Sequence, residues 1–98
     1  MENRIDYETR AELLKALAHP VRLQIVHGLL KSGCHNVRCM EAHIGTSQSC
    51  VSQHLQKLRA AGIVSAERVG NEVFYRAGAK AAELVAALME EEAEAYVL

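Results

Sequence analysis

The chain has no apolar run long enough to cross a bilayer, and its first ten residues, MENRIDYETR, are charged rather than signal-like. A membrane-spanning protein is therefore not expected; a soluble, cytoplasmic one is. There is no glycine-rich phosphate loop, no pair of acids placed for acid–base chemistry, and too little chain in 98 residues to build a deep substrate pocket. An enzyme is not expected, and no cofactor is implied. Repeats, linkers and low-complexity tracts are missing too, which leaves one domain spanning residues 1–98. The three cysteines, Cys34, Cys39 and Cys50, are odd in number and come without a secretion signal. That argues against a structural disulfide framework and for free thiols in a reducing compartment.

The most pointed absence is local. No acid occurs between Thr46 and Ala66, although the stretch TSQSCVSQHLQKLRAAG reads as a helix. Charge is skewed around it. Residues 47–78 carry Lys57, Arg59, Arg68 and Arg76 against Glu67 and Glu72, a net of +2, whereas residues 79–98 carry Lys80 against five glutamates, a net of −4. The middle of the chain suits phosphates and the tail does not. Formal net charge over the whole chain is only −1, so bulk charge does not point to nucleic acid by itself.

What is present divides into periodic segments. Tyr7 to Ala18 is predicted to be helical, with Ala11, Leu14, Leu17 and Ala18 on one face. His19–Pro20 breaks it, His19 capping a second helix whose first turn tolerates the proline. That helix carries Leu23, Val26, Leu29 and Leu30 and stops near Ser32–Gly33. Asn36 is expected to cap a short third helix with Val37, Met40 and Ile44 inward, closed by Gly45. Ser47 caps the fourth, in which Val51, Leu55 and Leu58 form a single apolar stripe. The period then changes to alternation: IVSAERV and EVFYRA flank Gly70–Asn71, a pair suited to a tight hairpin turn. An alanine-rich helix from about Ala79 closes the series, with Ala81, Leu84, Val85, Leu88 and Met89 apolar. The fold class is mainly α with a small β-hairpin, a winged helix-turn-helix in the order α-α-α-α-β-β-α.

With the apolar stripe buried, the fourth helix faces outward with Gln48, Ser49, Ser52, Gln53 and Gln56. Amides and hydroxyls both donate and accept, as reading base edges requires. A solvated surface helix normally mixes Glu with Lys at i,i+4, and the acid-free stretch disfavours that. Lys57, Arg59, Arg68 and Arg76 are the expected phosphate anchors, and the wing tip at Asn71 reaches an adjacent groove. A winged helix used only for protein contact is the rival of another class.

The combination ELLKALAHPVRLQIVHGLL, SQSCVSQHLQKLRAAGIVSAERVGNEVFYR and the VFYR wing strand resembles the ArsR/SmtB family of bacterial winged-helix repressors, from about Tyr7 to Met89. The resemblance implies a homodimer paired through the first and last helices, about 5–18 and 79–95, with a recognition helix at about 47–61 and a wing at about 63–77. It implies binding to double-stranded operator DNA, hence association with the nucleoid, and release when an inducer is sensed. Gln48, Ser49, Ser52 and Gln53 match the base-reading positions; Arg68 and Gly70–Asn71 match the wing, although many members carry Arg where Asn71 stands.

The family's metal sites do not carry over. One lies on the last helix and uses Asp, Glu and His, but residues 79–98 hold no His or Asp, and Glu90, Glu91, Glu92 and Glu94 read as a solvated helix end. Another is a Cys-x-Cys-Asp-like box; aligned on Ser47–Gln48, its cysteines fall on Asn36 and Arg38. What stands there instead is CHNVRC. Cys39 is three residues past the Asn36 cap, facing the positive helix start with His35 and Arg38 nearby, which favours a thiolate. Cys34 lies in a loop, which can bring two Cα atoms within disulfide range as a continuous helix at that spacing cannot. Three readings stay open: a Cys34/Cys39 switch for an oxidant or reactive sulfur species, a soft-metal set of Cys34, His35, Cys39 and His43, and no regulatory role. Cys50 is expected to be a packing residue beside Val51.

Overall fold

The computed structural model describes residues 5–31 and 33–89. Five helices and one hairpin follow in order: α1 Tyr7–Leu17, α2 Pro20–Lys31, α3 Val37–Ile44, α4 Gln48–Ala60, β1 Val64–Val69, β2 Glu72–Ala77 and α5 Ala79–Met89. The expected Ser32 stop, the last part of the helix expected to reach residue 95, and the cluster Glu90, Glu91, Glu92 and Glu94 lie outside the described residues. No helix among the described residues is long and apolar enough to cross a membrane.

The helix starts are set by short polar side chains. Asp6 accepts from the Thr9 N–H at 3.0 Å, and the Thr9 hydroxyl donates to its other oxygen. Those two bonds, side chain first, hold the Asp6 carboxyl below the usual range. His19 Nδ1 accepts from the Val21 N–H at 3.0 Å where Pro20 opens α2. Asn36 Oδ1 accepts from the Cys39 N–H at 2.8 Å, and Ser47 Oγ from the Cys50 N–H at 3.1 Å. Each bond satisfies an N–H that the first helical turn leaves without a partner.

At the two turns that shape the site, positive φ is needed and glycine supplies it. Gly45 ends α3 at φ 80° and its N–H donates to the Glu41 carbonyl, which lets the chain reverse into α4 within Thr46–Ser47. Gly70 has φ 64° in the two-residue loop between Val69 and its partner Glu72, and no non-glycine described has positive φ. That fits a hairpin turn with the left-handed residue first. Antiparallel pairing runs from Val64↔Ala77 to Val69↔Glu72.

The core gathers where α2, α4 and α5 meet the root of the hairpin. Val26, Val51, Leu58 and Val85 have no exposed surface, and Ile25, Met40, Leu55 and Ile63 almost none. Each such side chain contributes about 1.5–3 kcal/mol relative to leaving it in water. The α4 stripe is as expected. Other faces are rotated. Of Ala11, Leu14, Leu17 and Ala18 only Leu17 is buried; Leu13 and Ala16 pack on the core in their place, and Leu14 is 56% exposed. In α2, Ile25 is buried while Leu23 is only partly covered and Leu30 is exposed. In α5, Ala81 and Val85 face inward, leaving Leu84, Leu88 and Met89 outward. Both α1 and α5 carry more apolar surface than one core takes up. Periodicity identifies the apolar arc but not which edge of a wide arc faces its own chain.

Candidate nucleic-acid interface and thiol pair

Helix α3, the Gly45–Thr46–Ser47 turn and α4 form the helix-turn-helix, and β1–β2 stands beside it as a wing. Gln48, Ser49, Gln53, Gln56, Lys57 and Arg59 are exposed along α4, and Ser52 is partly buried. Arg68 and Asn71 are exposed on the wing. Arg76 is exposed as well but lies 3.9 Å from Glu67, an open ion pair of the kind worth little in water.

Three of these residues line surface recesses. Gln48 and Asn71 line one groove, of about 380 Å³, between the starts of α3 and α4 and the wing tip; Asn36, Arg38, Glu41 and Glu72 complete its polar lining. Lys57 lies instead in a shallower recess with Glu12, Lys15 and Arg22, between α1, α2 and α4. Arg38 was not among the expected contacts, and nothing in its local pattern places it opposite the wing.

A second group, in which Arg22 was not expected from the sequence, holds α4 in place. The Arg22 Nε–H donates to His54 Nδ1 at 3.1 Å while its Nη1 donates to the Ala16 carbonyl at 3.0 Å. The His19 and His54 rings lie 4.3 Å apart. Arg22 thus links the end of α1, the start of α2 and the middle of α4. Because Nδ1 accepts, His54 must be unprotonated there. Burial, and then the charges of His19, Arg22 and Lys57, hold its imidazole below the usual histidine range.

Cys34 and Cys39 are joined in a disulfide with their Cα atoms 5.5 Å apart, within the range such a bond demands. Cys34 is 2% exposed and part of the core; Cys39 is partly buried in the first turn of α3. Cys50 is a free, partly buried thiol. The soft-metal alternative is not assembled. The bridge occupies both sulfurs, His43 is exposed on α3, and His35 Nδ1 lies 3.3 Å from the Tyr75 carbonyl. Among the described residues no three His, Cys, Asp or Glu converge into a ligand set.

A helix-turn-helix flanked by a hairpin, with a polar, acid-free second helix, defines a winged helix-turn-helix DNA-binding protein. Residues 19–66 match the family described as "Bacterial regulatory protein, arsR family". The chain is 47% identical over 90 residues to the biofilm growth-associated repressor of Xylella fastidiosa (strain Temecula1 / ATCC 700964), covering 87% of this chain and 78% of that one. Its fold is similar to the crystal structure of the transcriptional repressor PagR of Bacillus anthracis, with a TM-score of 0.77 at 38% identity over 84% of this chain and 94% of that one. It is also similar to the homodimeric winged helix-turn-helix DNA-binding domain Mb0332 of Mycobacterium bovis, with a TM-score of 0.74 at 33% identity over 90% and 86%. The chain belongs to the arsR family of bacterial regulatory proteins and is a DNA-binding transcriptional repressor.

Proposed function

We propose that this repressor works in the cytoplasm as a homodimer and leaves its operator when Cys34 and Cys39 become linked. One observation carries the thiol assignment: the bridge ties a core cysteine to the first turn of α3, the helix that leads into the recognition helix. Closing the bridge takes two protons and two electrons from the thiols. A hydroperoxide accepting them leaves as an alcohol and water, so the oxidant class is sufficient in itself. Reactive sulfur species act on the same pair.

Gln48, Ser49, Ser52 and Gln53 read base edges, with Gln56 at the margin. Lys57, Arg59, Arg68 and Arg76 contact phosphates, and Asn71 is the wing-tip contact. The dimer reading rests on outward Leu14, Leu84 and Leu88, which lie on α1 and α5, and on the homodimeric Mycobacterium bovis relative. Two recognition helices must meet half-sites about one DNA turn apart, so a small tilt of α3 and α4 in each protomer shifts their separation.

The test is operator affinity in dithiothreitol and after mild peroxide, for the wild type and for Cys39→Ser. The wild type is expected to lose at least about tenfold in affinity on oxidation, about 1.4 kcal/mol, and the variant to stay bound. Equal losses in both proteins would remove the pair from the switch.

A further inference from the structure

We infer that His35 is a positioning residue that ties the wing to the thiol loop, so that the Cys34–Cys39 bridge governs the groove between α4 and the wing and not α3 alone. This rests on the thiol reading above. The Tyr75 N–H donates to the His35 carbonyl at 2.8 Å, and His35 Nδ1 sits 3.3 Å from the Tyr75 carbonyl. Tyr75 is midway along β2, opposite Ala66. Its N–H points away from β1, so His35 covers the outer edge of β2, which would otherwise be an unpaired strand edge.

The hairpin is anchored unevenly. Its root, Ile63 and Val64, is buried in the core, whereas Arg68, Val69, Gly70, Asn71 and Glu72 at the tip are exposed. The His35 contact falls between root and tip. His35 is also the first residue inside the segment that the bridge closes, with the Asn36 cap next and Arg38 two further on. The same short closed loop therefore holds both walls of the groove: Asn36 and Arg38 on the helix side directly, and Asn71 and Glu72 on the wing side through Tyr75. A DNA strand passing from the major groove under α4 to the minor groove under the wing must cross that gap. Opening the bridge returns conformational freedom to residues 34–39 and slackens the tether on β2.

The measurement is the temperature coefficient of the Tyr75 amide proton shift, read by NMR in peroxide-oxidised and dithiothreitol-reduced protein, with the Leu55 amide as internal control. Tyr75 is expected to move from the hydrogen-bonded range toward the solvent-exposed range on reduction, while Leu55 stays put. Cys39→Ser is expected to show the reduced value under both conditions. Tyr75→Pro deletes the donating N–H at an edge position where proline is tolerated. It should still form the bridge, by loss of two hydrogens in its mass, with a smaller redox ratio of operator affinities. If that variant does not fold, the amide measurement on the wild type still decides. An operator affinity that responds to oxidation with an unchanged Tyr75 coefficient overturns the wing tether and leaves the thiol reading standing. An operator affinity that ignores oxidation overturns both.

Discussion

Reducing the bridge should destabilise the fold by an amount that the chain topology sets. Cys34 and Cys39 are five residues apart, so the closed segment is short. In the chain-entropy treatment a loop of about six residues loses about 7 cal/mol/K in the unfolded state, or about 2 kcal/mol at room temperature. For a domain of this size that corresponds to a drop of roughly 8–16 °C in melting temperature. The assay is a thermal melt followed by circular dichroism with and without phosphine reductant, at one fixed protein concentration, because a dimer's melting point depends on concentration. Cys39→Ser is the appropriate mimic: Cys34 is 2% exposed, and serine there would add the separate cost of a buried hydroxyl. Coincident melts of bridged and fully reduced protein, with reduction verified by mass, would refute the reasoning. They would mean that the bond constrains the native segment 34–39 as much as the unfolded one and so adds no net stability.

Other consequences can be checked separately. Gln53→Ala should raise the operator dissociation constant by roughly 10- to 100-fold with little change on random DNA, whereas Arg59→Gln should weaken both and lower the salt slope by about one; competition binding across a salt series separates the two. Lowering the pH should cost stability through His54. Its folded imidazole resists protonation, because of burial and the neighbouring charges, while the unfolded one protonates near the ordinary value of about 6.5. The stabilisation is complete above that pH and fades as pH falls toward the lower folded value, so urea midpoints should drop between pH 7.5 and 5, and less in His54→Gln. Leu88→Glu, at a side chain 63% exposed on α5, should shift sedimentation from dimer to monomer without unfolding the protomer.

Much of the architecture was legible because its determinants are local. Asn36 and Ser47 lie within three residues of the N–H groups they cap, and Val51, Leu55 and Leu58 are one helical repeat apart. Gly70–Asn71 sits between two alternating runs and forms the turn expected of it. Faces were harder. Leu14 and Leu17 belong to one apolar arc, yet only the second reaches the core, because an arc wide enough for both a core and a partner has no internal mark of the division.

Residue order alone therefore determined the sequence of elements, the caps, the turn chemistry and the acid-free face of α4, since each rests on contacts within a few positions along the chain. Tertiary structure alone decided which distant residues share a site. Arg22 meets His54 across 32 positions, and His35 meets Tyr75 across 40. The Cys34–Cys39 pairing belongs between the two. Its spacing permitted a bond, and burial of Cys34 against the core, with Cys39 held in the first turn of α3, brought the sulfurs together. Such contacts depend on how helices pack, and packing answers to the whole set of buried side chains rather than to any single stretch.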